Sequence, residues 1–260
     1  MLIAVIADNS HIRVHGFKGD GKMDFAASIA TEPRQTADYY ACMAEQLFAL
    51  GGVKKDEITG VVLGSVVPQL TRALSSALHS VTGRRVLSVS SGVRTGLNIR
   101  SDQPQQVGAD RVAAAVAAKA RGKLPCIIAD CGAAITFTVL DKDGTLCASA
   151  IAAGVRMSLE ALHASSAQLP TVALEDGAVC EVMARNTADA MRVGAAVGAA
   201  AMIDGMVARY AAALGDTPQV WLTGDSVQLV SWHLQTCWEG ADDLAFEGLR
   251  LIWEKNHPDR

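Results

Sequence analysis

Asp110 and Arg111 stand at the start of an alanine-rich segment and could together do acid–base chemistry. The run from Arg111 to Ala120 is rich in helix formers, which places Asp110 near the N-terminus of a helix. There Asp110 could take a proton from a substrate hydroxyl, and Arg111 could hold a carboxylate or a phosphate. The structural alternatives are an ordinary N-cap for Asp110 and a solvated first-turn side chain for Arg111.

Two further polar residues stand where predicted elements begin or end. Asp130 closes a predicted buried strand, and Thr187 opens a long predicted helix. By itself, Asp130 could be an acid that caps a turn, and Thr187 could be a helix N-cap. A role in binding is the alternative for both.

The elements that would position these residues follow the same plan in both halves of the chain. In the first half, residues 2–7 and 12–17 are predicted strands, and Gly19-Asp20-Gly21 is a turn before a third strand. A helix is predicted from about Ala37, with Thr36 as its cap and Gly51-Gly52 as its stop, and residues 59–67 form a buried strand that ends at Pro68.

The second half repeats this order of elements. Strands are predicted over 126–130, 135–140 and 145–151, with the turn at 141–144, and a helix begins near Val155. The plan is therefore strand, strand, strand, helix, twice. We expect two halves, residues 1–122 and 123–260.

Composition limits the kinds of partner that the chain can have. Half of its 260 residues are apolar, and no apolar run reaches the ~18 residues that would span a membrane. The net charge of −4 argues against a nucleic-acid partner. The six cysteines contain no CxxC pair, so they indicate neither zinc nor a disulfide framework, and the N-terminus lacks the basic start and cleavage site of a signal peptide. We expect a cytoplasmic protein with no membrane partner.

The stretch from Thr187 to Leu214 combines alanines with Gly194, Gly198 and Gly205. Small residues at such spacing allow helices to approach closely. The stretch could therefore be a dimer or interdomain helix, or equally an intramolecular core helix.

Short motifs along nearly the whole chain resemble the type III pantothenate kinases in order and spacing. They are Ser65-Val66-Val67-Pro68, Thr95-Gly96-Leu97, Val107 to Arg111, Asp130-Cys131-Gly132, Gly154 to Leu162, Asn186-Thr187, Thr223-Gly224 and Glu247 to Leu251. The resemblance implies an α/β, duplicated ribonuclease-H-like fold of the actin and hexokinase type, with two similar halves. It also implies transfer of the γ-phosphate of ATP to pantothenate in coenzyme A biosynthesis.

The resemblance assigns roles on the acceptor side. It implies that Gly108, Ala109 and Arg111 bind pantothenate and that Asp110 is the general base. Thr187 matches a threonine that reaches pantothenate from the neighbouring subunit, which implies a dimer. Ser101 stands where the family usually has a tyrosine.

On the ATP side, the resemblance implies magnesium with ATP and a monovalent cation, potassium or ammonium, at Asp130. Here several positions depart from the family pattern. The family's first strand ends in Asp-x-Gly-Asn-Thr or Asp-x-Gly-Asn-Ser, and this chain has Ile6, Ala7, Asp8, Asn9 and Ser10 there. A shifted alignment would let Asp8 serve as the acid, at the loss of the match at Asn9 and Ser10.

Further departures lie in the second half of the chain. Ala133 replaces a threonine that meets ATP, Ala148 and Ser149 replace a Gly-Gly pair, and Asp225 replaces a glycine. Five altered places indicate weakened or abolished use of ATP. The alternative to a kinase is therefore a non-catalytic paralogue that binds a small ligand or pairs with an active kinase subunit, as a homodimer or a heteromer.

Overall fold

A computed structural model describes residues 1–175 and 180–258 of the chain. Residues 176–179 and 259–260 of the predicted second half lie outside the described residues. The chain divides into two compact units, of which the first contains Met1–Leu97, Asp102–Ala120 and the residues from Leu244 onward. The second contains Asn98–Ser101 and Arg121–Asp243.

Unit 1 is a five-stranded sheet with helices on both faces. Its elements are β1 (Leu2–Ala7), β2 (His11–Phe17), β3 (Met23–Ala30), α1 (Ala37–Leu50), β4 (Gly60–Ser65), α2 (Pro68–Thr82), β5 (Val86–Ser88), α3 (Ala109–Ala120) and α7 (Leu244–Asn256). The strand order is β3-β2-β1-β4-β5, with β1 antiparallel to β2 and parallel to β4. One face of the sheet buries Ile3, Val5 and Leu63 among α1 and α2. The other buries Ala4 and Ile6 against residues of α3 and α7.

Unit 2 carries a six-stranded sheet and the longest helix. Its elements are β6 (Asn98–Ile99), β7 (Cys126–Cys131), β8 (Ala134–Leu140), β9 (Thr145–Ala153), α4 (Val155–Ser165), α5 (Thr187–Leu214), β10 (Gln219–Thr223), α6 (Val227–Val230) and β11 (Glu239–Gly240). The strand order is β11-β10-β7-β8-β9-β6. If β6 is set aside, this is the order of unit 1, so the two sheets repeat one topology as the sequence predicts.

The predicted elements are confirmed at their caps and turns. The side chain of Thr36 accepts a hydrogen bond from the amide of Tyr39 at the start of α1, and Gly51 caps its end. The helix predicted over 187–214 begins at Thr187 and ends at Leu214. Helix α5 is long and apolar enough to cross a bilayer by length and composition alone. Its face with Ala196, Ala200 and Ile203 packs into the core of unit 2.

Helix α7 was assigned by sequence to the second half, whereas its contacts group it with unit 1. The reason is a very close approach between α7 and α3. A Cβ atom built on Gly248 would lie 1.8 Å from the carbonyl oxygen of Ala113, so only glycine fits there. The apolar face of α7, with Phe246, Leu249 and Ile252, then completes the core below β1.

Candidate active site

The turn between β1 and β2 is closed by the carboxylate of Asp8. Its Oδ1 atom accepts hydrogen bonds from the amide of Ser10 (2.8 Å), the hydroxyl of Ser10 (2.8 Å) and the amide of His11 (2.7 Å). The hydroxyl of Thr31 donates to the carbonyl oxygen of Asp8 (2.7 Å). The backbone amides of Ser10 and His11 could bind an external anion such as a phosphate, but they are already bound to the carboxylate of Asp8.

Asp8 is ionised, because the hydrogen bonds of the turn favour its charged form. Burial alone would raise the pKa of Asp8, but the hydrogen bonds from His11 and Ser10 and the charge of Arg13 outweigh burial and hold that pKa below its ordinary value. The second carboxylate oxygen, Oδ2, lies 3.3 Å from a guanidinium nitrogen of Arg13. A negative charge is thus fixed at the end of β1, with a positive charge beside it.

Arg13 reaches Asp8 because of the register between β1 and β2. Arg13 pairs with Ile6 across the two strands, so the two side chains share a face of the sheet. Asp8 follows Ile6 by two residues and is displaced along the same face by about 7 Å. The guanidinium of Arg13 lies over the ring of Phe246 at 5.9 Å, and that ring stacks on His15.

The start of α3 places Asp110 beside the end of β4. Helix α3 begins at Ala109, so Asp110 lies within the first turn and is not the residue that caps it. Its Oδ1 atom accepts a hydrogen bond from the amide of Arg111 (2.8 Å). A Cβ atom on Gly108 would lie 2.4 Å from this oxygen and 3.1 Å from Cγ1 of Val66. The carboxylate therefore folds back over Gly108, and a larger residue at that position would displace it.

The surroundings of Asp110 prepare it to accept a proton. Burial raises the pKa of Asp110 above its ordinary value, against the hydrogen bond and the charge of Arg111, which lower it. Asp8 lies close enough for its negative charge to raise the pKa of Asp110 further. A carboxylate whose pKa is moved towards neutrality is a better general base than an ordinary one.

The loop that carries the Thr95-Gly96-Leu97 motif is held by the end of α7. The side-chain amide of Asn256 donates to the carbonyl oxygen of Arg94 (2.9 Å), and the amide of Arg94 donates back to the side chain of Asn256 (3.3 Å). Gly96 has a φ of +73°, and a Cβ atom there would lie 2.0 Å from Nζ of Lys255. Because both facts favour glycine, this motif is explained by the packing of unit 1 alone.

In unit 2, Asp130 lies near the end of β7, next to the loop that contains Gly224. A Cβ atom on Gly224, which follows β10, would lie 2.4 Å from Oδ1 of Asp130. The amide of Ser226 donates to the carbonyl oxygen of Cys131 (2.7 Å), which holds the same loop against β7. Thr136 pairs with Asp130 across β7 and β8 and so shares its face of the sheet.

The oxygens around Asp130 fit a monovalent cation. The hydroxyl oxygen of Thr136 is buried and has no hydrogen-bond partner among the residues that the structure describes. Together with the carboxylate of Asp130 it offers the oxygen ligands that potassium prefers. Within residues 1–175 and 180–258, no group of three or more His, Cys, Asp or Glu side chains is arranged to hold a metal ion. Magnesium in kinases is bound mainly by phosphates and by one or two carboxylates, so it needs no such group.

The other predicted residues of unit 2 lie at its turns and helix ends. Ala133 forms the β7–β8 turn, and its carbonyl oxygen accepts a hydrogen bond from the amide of Gly154 (3.0 Å). Thr187 is the first residue of α5 and is exposed, and its helix is capped by Asn186. Ser101 is exposed in the segment that follows β6. Unit 1 thus brings together Asp8 and the Gly108–Arg111 segment, while Asp130, Ala133, Thr187 and Ser101 belong to unit 2.

Arg13 and Thr136 carry no signal in the sequence that singles them out. Arg13 and Thr136 are the cross-strand partners of Ile6 and Asp130, so only the strand register reveals them. A hairpin alignment of the first two strands in each half could have suggested both. Val66 belongs to the Ser65–Pro68 motif, but its contact with the Asp110 segment depends on tertiary packing.

Two sheets with one strand order, each ending its first strand at a polar turn, define a class of protein that solved structures share. Component A of the (R)-2-hydroxyglutaryl-CoA dehydratase of Acidaminococcus fermentans superposes with a TM-score of 0.57 at 10% identity, over 100% of this chain and 99% of that chain. The activator of the 2-hydroxyisocaproyl-CoA dehydratase of Clostridium difficile, with bound ADPNP, gives 0.53 at 11%, over 99% and 96%. The duplicated ribonuclease-H-like fold of the actin and hexokinase type is thereby confirmed.

Sequence comparison identifies the family within this class. The family model for type III pantothenate kinase matches residues 2–209. The Type III pantothenate kinase of Geobacter sulfurreducens is 34% identical over 256 residues, which cover 98% of this chain and 99% of the relative. The chain belongs to the type III pantothenate kinase family.

Proposed function

We propose that the chain is a phosphotransferase that moves the γ-phosphate of ATP to pantothenate, in coenzyme A biosynthesis. The observation that carries this proposal is the Asp110 carboxylate, buried at the start of α3 and held over Gly108 with a raised pKa. Phosphoryl transfer needs chiefly positioning and charge stabilisation, together with a group that accepts the hydroxyl proton. Membership of the type III pantothenate kinase family supports pantothenate as the substrate.

The acceptor side of the reaction rests on the start of α3. Asp110 accepts the proton of the pantothenate hydroxyl, while Arg111 pairs with the pantothenate carboxylate. Gly108 and Ala109 allow the helix start to lie close to β4, since a Cβ atom on Gly64 would be 3.7 Å from that of Ala109. When bound with magnesium, ATP supplies the phosphoryl group.

Asp130 and the turns of both units serve the nucleotide side in this proposal. Asp130 holds a potassium or ammonium ion, with the orphaned hydroxyl of Thr136 as a further oxygen. Asn9 and Ser10, in the β1–β2 turn of unit 1, and Ala133, in the β7–β8 turn of unit 2, are the residues that we assign to the nucleotide. The bound ADPNP of the Clostridium difficile activator is consistent with a nucleotide site in this fold.

We further propose a homodimer built on α5, in which Thr187 and Ser101 complete the pantothenate site. A Cβ atom on Gly194 or Gly198 would meet nothing within 4 Å in unit 2 or elsewhere in the described chain. Each such glycine destabilises the helix by ~1 kcal/mol relative to alanine, which a closely packed second copy would offset. Since the proposed ligands are small molecules in the cell interior, the protein acts in the cytoplasm.

A second candidate is a non-catalytic paralogue that binds a small ligand or pairs with an active kinase subunit. The observation in its favour is Asp8, whose carboxylate occupies the amides of Ser10 and His11. Those amides are consequently not available to a phosphate while Asp8 keeps this geometry.

Calorimetric titration with magnesium ATP and with pantothenate, each alone, separates the two candidates. A kinase binds both ligands, and Asp110→Asn binds ATP as the parent chain does. A paralogue binds pantothenate or neither ligand, with no heat from ATP up to millimolar concentration. Failure of both ligands to bind would contradict the kinase proposal.

A further inference from the structure

We propose that Arg13 is a positioning residue for Asp110, which it serves by holding and neutralising the charge of Asp8. This inference rests on the proposed function, in which Asp110 is the base. It goes beyond that function because Arg13 is not among the residues proposed to bind a ligand. Arg13 would act through Asp8 and not on the substrate.

Arg13 is held in place from two sides. A guanidinium nitrogen lies 3.3 Å from Oδ2 of Asp8, and the guanidinium lies over the ring of Phe246. Phe246 is buried on α7, the helix that packs against α3. The guanidinium is thus kept on the face of the sheet that packs against α3, the helix that carries Asp110. The side chain of Arg13 is only 31% exposed.

Asp8 cannot turn away from Asp110, because its other oxygen is fixed by the β1–β2 turn. Three hydrogen bonds from Ser10 and His11 hold Oδ1. The negative charge of Asp8 therefore stays in place, and only the positive charge that offsets it can change. Arg13 pairs with this carboxylate in the part of the chain that the structure describes.

Asp8 and Asp110 stand where the neighbouring strands β1 and β4 end: the amide of Val66 donates to the carbonyl oxygen of Ala7 (3.0 Å), and the side chain of Val66 lies against Gly108, over which Asp110 folds. Of the charged groups, Asp8 favours the protonated form of Asp110, and Arg111 favours its ionised form. On α7, which packs against α3, the acidic residue of the first turn is Glu247, and on β2 the titratable ring of His15 stacks on Phe246, over which Arg13 also lies. Without Arg13, the field of Asp8 at Asp110 becomes stronger. Asp110 then keeps its proton to a higher pH, and less of the base is available under acid conditions.

The test uses Arg13→Met, which removes the charge and keeps an apolar stem over Phe246. We expect turnover at about pH 5.5, relative to turnover at about pH 8, to fall roughly threefold to tenfold below the wild-type ratio. Arg13→Lys should keep the wild-type ratio, since it keeps the charge. In the double variant Asp8→Asn/Arg13→Met the ratio should return to the wild-type value, because the charge that needed compensation is gone.

Lys18→Gln is the matched control, since it removes one cation from the same hairpin at its opposite end, where Lys18 pairs with Asp24. Its pH profile should follow that of the wild type. A profile of Arg13→Met that coincides with the wild type overturns the inference. So does an equal loss at all pH values that the double variant does not repair, because that is the result of a structural role.

A second measurement does not depend on activity. Carboxyl NMR titration of Asp110 in the intact chain should show a higher pKa in Arg13→Met than in the wild type or in Lys18→Gln. If the wild type phosphorylates nothing, the proposed function fails, yet this titration still decides the inference. An unchanged pKa of Asp110 in Arg13→Met would overturn it.

Discussion

Strands β1 and β7 end differently, although they occupy the same place in one topology. At the fifth residue of the strand, β1 has Ile6 and β7 has Asp130, and two residues later the chain has Asp8 in unit 1 and Gly132 in unit 2. Unit 2 thus has an acid followed by a glycine, whereas unit 1 has an aliphatic residue followed by an acid. Asp8 of unit 1 therefore stands two residues further along the chain than Asp130 does at the end of the corresponding strand.

The consequence of this difference is seen in what closes each turn. In unit 2, neighbouring loops approach the turn through glycines of their own, since a Cβ atom on Gly154 would lie 2.2 Å from the carbonyl oxygen of Ala133. The amides of Ser226 and Gly154 donate to the carbonyl oxygens of Cys131 and Ala133. In unit 1, the turn binds its own side chain, Asp8. One topology therefore supports a turn closed by neighbouring loops in unit 2 and a turn that binds its own side chain in unit 1. The proposed chemistry of unit 1 depends instead on the start of α3.

The largest effect is expected from a variant at Asp110, which tests whether the proposed chemistry of unit 1 depends on the start of α3. Asp110→Asn should lower turnover by ~10²–10⁴, because an amide cannot accept the hydroxyl proton. Steady-state kinetics at saturating ATP and pantothenate measure this loss. Asp38→Asn, in the first turn of α1, is the matched control and should be neutral. Unchanged turnover in Asp110→Asn would remove this residue from the mechanism.

The next largest effect is expected from a variant in which the end of β1 resembles the end of β7. Ile6→Asp combined with Asp8→Gly should strengthen ATP binding, measured by calorimetry. An uncompensated carboxylate ~5 Å from a phosphate would repel it by about 3 kcal/mol at an effective dielectric of ~20. Because Arg13 offsets part of this charge, we expect a gain of roughly tenfold in affinity.

Asp20→Gly is the control for this double variant, since it removes an acid that caps the next hairpin turn in the same way. Its affinity for ATP should be that of the parent chain. If Asp8→Gly alone abolishes magnesium-dependent binding of ATP, Asp8 assists binding and the account of a self-occupied turn is wrong.

The smallest expected effect concerns the role of unit 2 in assembly. Gly198→Leu places a side chain on the exposed face of α5 and should weaken the dimer roughly tenfold through a steric cost of ~1–3 kcal/mol. Light scattering over a concentration series measures this change. Gly92→Leu is the control, at another glycine with open space around it. A monomer mass for the parent chain at micromolar concentration would contradict the dimer.

The sequence predicted the elements that have strong local signals. The cap at Thr36, the stop at Gly51 and the limits of α5 follow from side chains next to each helix end. Helix α2 was missed even though Pro68 at its start and Gly83 at its end are signals of the same kind. The preceding apolar run hides this helix, because residues 59–67 have the composition of one buried strand, whereas β4 ends at Ser65.

Long-range packing accounts for what the sequence could not predict. Nothing in the residues 244–256 indicates that α7 packs on α3 and not on the unit that precedes it in sequence. The partnership of Arg13 with Asp8 likewise depends on the strand register, which places Arg13 opposite Ile6. The chemistry of Asp110 was predicted from resemblance, while its position over Gly108 and beside Val66 needed the structure.

The most direct test of the account is a phosphoryl-transfer assay on the intact chain, with magnesium ATP, pantothenate and potassium. Product is followed by mass spectrometry. We predict that ADP and phosphorylated pantothenate form in equal amounts, that Asp110→Asn forms neither above background, and that the Ile6→Asp/Asp8→Gly variant forms both at lower ATP concentrations. The account would be contradicted if the parent chain and this double variant both formed no phosphorylated pantothenate, because the acceptor side of unit 1 would then not be that of a kinase.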